Sequence, residues 1–139
     1  MQGLKGMTEA IGEIVTKKDG VFAEKDEVFY AYLAGLIDGE GWVGITRRFD
    51  PRYRRGYWEM PIIDVANTNK EVLEIVKERI GFGRIYSQAR GTSKPVHHLK
   101  FYPTNLRKLL PHIAPYLVIK RDQAEKLARV LELTRTESE

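Results

Sequence analysis

Nine residues, Leu33-Ala34-Gly35-Leu36-Ile37-Asp38-Gly39-Glu40-Gly41, constrain this chain more than any other stretch. The run from Asp26 to Ile37 contains no proline and one glycine, so it predicts a helix. Asp26 is placed to cap that helix, and Glu27 adds negative charge to its first turn. Ala31, Ala34, Gly35 and Asp38 recur at i, i+3, i+4 and i+7 and line one face. A stripe of small side chains lets a second helix approach closely. Phe29, Leu33, Leu36 and Ile37 form a broader apolar side for the protomer's own core. Gly39 and Gly41 suit a tight helix exit and leave Glu40 at the bottom of the helix.

Acids at the end of a close-packed helix pair suit phosphodiester hydrolysis. Two copies of the helix about a two-fold axis bring two Glu40 carboxylates together, and like charges held close need cations between them. Hard oxygen ligands suit Mg²⁺, which keeps several waters and takes phosphate oxygens. An isolated Asp-x-Glu is ordinarily a cap and a solvated acid; the full nonapeptide favours the chemical reading.

At 139 residues, 42% hydrophobic and 30% charged, the chain is long enough for one domain with a real core. Without cysteine it forms neither disulfides nor thiolate metal sites. The longest mostly apolar run, Val28 to Ile37, is too short to span a bilayer, and no signal pattern opens the sequence. An intracellular location is therefore expected, cytoplasmic or, in a eukaryote, organellar or nuclear, with no membrane partner. The net charge of +4 is modest, but its distribution is not even. Residues 47–55, Arg47-Arg48-Phe49-Asp50-Pro51-Arg52-Tyr53-Arg54-Arg55, carry five arginines against one acid. Arginine interleaved with aromatics suits phosphate contact and base-edge reading.

Residues 1–25 read as an N-terminal extension with a short amphipathic helix over 9–18, residues 26–135 as a single domain, and 136–139 as a polar tail. A strand over 42–49 turns Val43 and Ile45 inward and Trp42, Gly44, Thr46 and Arg48 outward. A second, over 57–66, holds Pro61, which predicts a bulge or an edge position. Thr68-Asn69-Lys70-Glu71 reads as a capping box opening a helix to Ile80. Strand 83–90 turns Ile85 inward and Arg84, Tyr86, Gln88 and Arg90 outward; strand 96–102 turns Leu99 and Phe101 inward and His98, Lys100 and Tyr102 outward. Helices follow from Pro103 and from about Lys120. The class is α+β, an antiparallel sheet with helices on one face and a polar, curved face fit for the major groove. His97 and His98 point to opposite faces, so they do not make one metal site.

The nonapeptide resembles the LAGLIDADG motif of homing endonucleases, with small residues at its second and third places, acids at its sixth and eighth, and glycine at its ninth. The resemblance covers roughly residues 26 to 135 and implies that family's αββαββα fold, its sheet forming a DNA-binding saddle. It implies a site-specific double-strand DNA endonuclease, dependent on Mg²⁺ with Mn²⁺ or Ca²⁺ in the same sites. Such an enzyme cuts a long pseudo-palindromic target to leave short 3′ overhangs. Single-motif members are homodimers, so one motif here implies a homodimer. Glu40 falls at the metal-binding acid, where Asp is commoner, and the Gly39 carbonyl assists. Asp38 matches the structural acid, and Ala31, Ala34 and Gly35 match the helix interface. The stretch Pro115 to Ala124 places Lys120 at the family's catalytic lysine, ahead of Lys100, with an electrostatic role. Asn67 is the first choice for a further polar catalytic residue, ahead of Asp64 and Asn69. DNA contacts are expected from Thr46, Arg47, Arg48, Arg52, Arg54, Arg55, Arg84, Tyr86, Gln88, Arg90, His98 and Lys100. An RNA-binding intron maturase and a non-catalytic DNA-binding regulator are the alternatives on the same fold; Glu40 with Lys120 argues against the regulator.

Overall fold

The structure, a computed structural model, describes residues 26–138; the expected extension and its helix lie outside the described residues. The helix carrying the nonapeptide, α1 (Glu27–Glu40), runs three residues past its expected end at Ile37. It passes straight through Gly39 and ends on Glu40. Gly41 then starts strand β1 (Gly41–Phe49) with no intervening loop, and its N–H donates to the Ile37 carbonyl. A β-carbon on Gly41 would lie 2.7 Å from that carbonyl oxygen, so this junction needs glycine. Asp26 makes no side-chain cap bond. It is buried instead and forms an ion pair with Arg79, which ties the start of α1 to a later helix.

The remaining elements are β2 (Tyr57–Asn67), α2 (Lys70–Ile80), β3 (Arg84–Arg90), β4 (Ser93–Phe101), α3 (Pro103–Ile113), a 3₁₀ turn (Ala114–Tyr116) and α4 (Arg121–Ser138). The polar tail expected from residue 136 continues α4 as far as Ser138. Asn69, rather than Thr68, caps α2: its side-chain oxygen accepts from the Val72 N–H at 3.2 Å, while the Asn67 oxygen accepts from the Asn69 N–H at 2.8 Å. Two short amide side chains bonding their own backbone displace the expected box by one residue. Gly81, left-handed at φ 90°, closes α2.

All strand pairs are antiparallel, in the order β1-β2-β4-β3. The first hairpin pairs nine residues, Gly41↔Val65 through Phe49↔Tyr57. The seam between the hairpins pairs only five, Ile63↔Phe101 through Asn67↔His97. Pro61 lies beyond that seam, where β2 has no β4 neighbour and pairs only with β1. This is the edge-like position its residue type predicts.

One face of the sheet carries the helices. Ile63, Val65, Leu99 and Phe101 meet Phe29, Leu33 and Ile37 of α1, Leu73 and Val76 of α2, Leu106 and Leu109 of α3, and Leu127 of α4 in one buried cluster. Truncating a residue such as Ile37 to Ala there costs about 2–5 kcal/mol. The other face is open, but less polar than the alternation suggests. Met60 and Ile62 are buried on it, and the half-exposed Trp42 ring lies over Gly44, the residue paired with Ile62.

Candidate active site and nucleic-acid face

The last turn of α1 is clamped from outside. The Asp38 carboxylate accepts from the backbone N–H of Val118 at 2.8 Å and of Lys120 at 3.0 Å. Burial alone would raise the Asp38 pKa, but the amides of Val118, Lys120 and Ile119, with the Lys120 charge, hold it below the ordinary carboxylate range. Lys120 returns the contact. Its ammonium donates to the carbonyls of Ile37 at 2.9 Å and Asp38 at 3.0 Å, and to that of Gly41. A helix end leaves carbonyl capacity unused and carries partial negative charge, so a cation there is doubly favoured. Sequence reasoning places Lys120 and Asp38 at the site separately; their mutual clamp carries no local sequence signal.

Glu40 follows this clamp directly. It is exposed and makes no ion pair among the described residues. It lines a cavity of about 360 Å³ together with Ala66, Asn67, Thr68, Arg90 and Val96. The structure thus brings Glu40 and Asn67 together, and it adds Arg90, expected only as a general DNA contact. Asp64 lies elsewhere on the sheet, and Asn69 is the cap of α2.

The donors fit a hard cation. Glu40 is an unpaired carboxylate, and the Gly39 carbonyl is not among the acceptors of Lys120. Among the described residues no group of three or more His, Cys, Asp or Glu could hold a metal. One protomer therefore offers an incomplete set of protein ligands, which suits an ion that keeps waters and takes phosphate oxygens.

The face of α1 turned away from the core holds Val28, 64% exposed, with Ala31, Gly35 and Gly39. A β-carbon at Gly35 or Gly39 would meet nothing within 4 Å, so nothing inside the protomer requires glycine there. Ala34, expected on this face, is fully buried with Leu33 and Ile37. One residue on a helix turns the side chain by about 100°, which carries Ala34 into the core while Gly35 faces out. Val118 and Ile119, 77% and 70% exposed, stand beside the clamp at the C-terminal end of the same helix.

On the open sheet face, His98 Nδ1 meets Asp64 Oδ1 at 2.9 Å, and its ring stacks on Tyr86 at 4.6 Å. The Lys100 ammonium lies 5.0 Å from the Tyr86 ring. Hydrogen bonding to Tyr86, helped by the nearby Asp64 charge, raises the Lys100 pKa. Lys100 is thus held among strand residues at mid-sheet. His97 points the other way, to Ser87 at 2.7 Å, as the alternation predicts. Thr46 donates to the Met60 carbonyl at 3.1 Å. Arg48, Arg84 and Gln88 are exposed.

The loop between β1 and β2 is tied by short-range contacts. Asp50 binds the Arg52 guanidinium through Nε at 3.0 Å and Nη2 at 2.6 Å, and accepts from the Arg52 backbone N–H at 3.0 Å. Arg47 and Arg55 both pack against the Tyr57 ring, at 4.5 and 5.4 Å. Arg54 is exposed.

No protein-family model matches the sequence, and no curated protein does. Solved structures do match. The homing endonuclease I-CvuI, in complex with its target and Ca, is 23% identical with a TM-score of 0.67, over 81% of this chain and 72% of that one. The archaeal intron-encoded homing endonuclease I-Vdi141I, complexed with DNA, is 24% identical with a TM-score of 0.65, over 77% and 69%. The I-SmaMI LAGLIDADG homing endonuclease, bound to cleaved DNA, is 27% identical with a TM-score of 0.65, over 78% of this chain and 37% of that one. The chain has the LAGLIDADG homing endonuclease fold. The αββαββα order, the two-hairpin sheet and the helix that delivers Glu40 to its open face are the features of that fold anticipated from the nonapeptide. No helix among the described residues is long and apolar enough to cross a membrane.

Proposed function

We propose that the protein is a site-specific, divalent-cation-dependent double-strand DNA endonuclease of the homing type, acting as a homodimer. One observation carries this reading: Glu40, exposed and unpaired, shares a cavity with Asn67 where α1 meets the end of β2. Glu40 and the Gly39 carbonyl would hold Mg²⁺, which supplies Lewis acidity at the phosphate. Asn67, whose Oδ1 already accepts from the Asn69 N–H, would donate its amide N–H to the attacking water. Lys120 keeps the Glu40 turn in place and adds positive charge beneath it. The sheet and its arginines bind the duplex through phosphates and base edges. The dimer is supported by the α1 face of Val28, Ala31, Gly35 and Gly39, flanked by Val118 and Ile119, since an exposed apolar strip whose glycines serve nothing within the protomer suits close helix pairing.

The test is a supercoiled plasmid library carrying randomised sites, incubated with Mg²⁺ or with EDTA. Linear product with short 3′ overhangs is expected only with Mg²⁺, and Glu40→Gln should bind the recovered site without cutting it. Binding without cutting by the wild type would favour the regulator; selective binding to structured intron RNA would favour the maturase. Gly35→Leu should give a monomer by light scattering, inactive in cleavage. An active monomer would rule out the dimer.

A further inference from the structure

We propose that Arg90 clamps the scissile phosphate and is a catalytic residue, rather than one more contact along the duplex; this rests on the endonuclease reading above. Among the described residues, Arg90 is the only cationic side chain lining the cavity that holds Glu40 and Asn67. The topology explains how a hairpin tip comes there. Because β4 runs antiparallel to β2 with Asn67 opposite His97, the tip of the β3–β4 hairpin projects past the Asn67 end of β2, the end where α1 delivers Glu40. The β1–β2 tip projects the opposite way.

The backbone at Arg90 is irregular in a directed manner. Gln88 pairs with Val96, but Arg90 pairs with Ser93, so two steps on β3 oppose three on β4. Pro95, which cannot donate to a ladder, lies within the longer side. Bulges of this kind bend a strand and re-aim a side chain next to a site. Val96, beside the bulge, lines the same cavity.

The guanidinium is available. It makes no ion pair with Glu40 or any other acid among the described residues, and its hydrogen bond to the Lys94 carbonyl is long, 3.5 Å. The planar fork therefore keeps donors for two phosphate oxygens at once. Lys120 does not fill that place, because its ammonium is directed at the carbonyls of α1. In the reaction, water oxygen forms a bond to phosphorus, the bond to the leaving sugar oxygen breaks, and a water proton ends on that oxygen. Negative charge grows on the non-bridging oxygens meanwhile, and a fixed guanidinium stabilises it.

Two measurements test this on the full-length protein with the duplex it selects. In single-turnover cleavage at saturating enzyme, Arg90→Ala should slow cutting by about 10²–10³-fold, with Arg90→Lys restoring part of the rate. Thermal melting of both variants should match the wild type, since Arg90 sits on an exposed tip. In the second arm, binding is measured in Ca²⁺ on duplexes with a normal phosphate or a neutral methylphosphonate at the scissile position. The wild type should lose affinity on neutralisation, and Arg90→Ala should bind both duplexes equally. Cutting by Arg90→Ala within threefold of wild type overturns the proposal, as does an undiminished methylphosphonate penalty in that variant. A wild type that binds but never cuts overturns the endonuclease reading alone, and the binding arm still decides the contact. A wild type that neither binds nor cuts overturns both.

Discussion

At one end of the open sheet face, where α1 arrives, the backbone is held by contacts between residues more than 79 apart in sequence: Asp38 with Val118 and Lys120, and Lys120 with Ile37 and Asp38. At the other end, the Arg47–Arg55 loop is tied by Asp50 to Arg52, two residues on, and by Asp50 and Tyr53 to Gly56. The strand between them spans eight steps, roughly 26 Å at about 3.3 Å each. That exceeds the Debye length of about 8 Å at physiological salt, so loop charges are screened from the candidate site at Glu40. The difference is instructive. The proposed hydrolysis needs a carboxylate in one position, which long-range clamping supplies. Phosphate grip tolerates a self-contained loop, because every nucleotide presents the same anion.

The strongest way to break this comparison is Lys120→Met. It removes the ammonium's bonds to the Ile37, Asp38 and Gly41 carbonyls and the charge facing Asp38. It should lower stability by about 1.5–3 kcal/mol in urea denaturation and slow cleavage at least about 10²-fold. If it melts with the wild type, the two ends are held no differently. Asp38→Asn is next. Asp38 is held below its ordinary pKa in the fold, so its contribution is present above about pH 4 and disappears as pH falls through the lowered value. The wild-type melting temperature should drop across that acid range, and the Asp38→Asn variant, already less stable at neutral pH, should drop less. Arg54→Ala should leave melting within about 0.5 kcal/mol and saturated cleavage unchanged. It should weaken all duplexes alike and lower the salt slope by about two in a dimer. A changed base preference would mean that the loop reads sequence. The smallest effect is expected from Asp50→Asn, which frees Arg52 and should tighten non-specific binding a few-fold in filter or fluorescence titrations.

Much of this division is legible in the sequence. The periodicity of α1, the alternation of β3 and β4 and the arginine run each repeat within a few residues, so they leave a local trace. The clamp leaves none: the motif's resemblance places Asp38 as a structural acid and Lys120 as a catalytic lysine, but only the fold shows that they hold each other's turn. Asp26 reads as a cap for the same reason, since its buried partner Arg79, which outcompetes that role, lies far along the chain. Ala34 shows the limit of helical counting, because a single position separates the core from the free face. The cavity joining Arg90 to Glu40 depends on strand order and a bulge, and neither is written in the spacing of residues 84–90.

The five-rung seam between the hairpins has a consequence of its own. Tyr57 to Ile62 on one side and Ser93 to Val96 on the other overhang that seam in opposite directions, each paired only within its own hairpin. The molecule is built like a short spine with two independent arms. An insertion at the Asp50–Gly56 tip would lengthen the reach along a duplex without shifting a rung of the spine, whereas an insertion at the Gly91–Thr92 tip would displace Arg90 from its cavity. One arm is free to lengthen; the other is bound to the geometry of the Glu40 cavity.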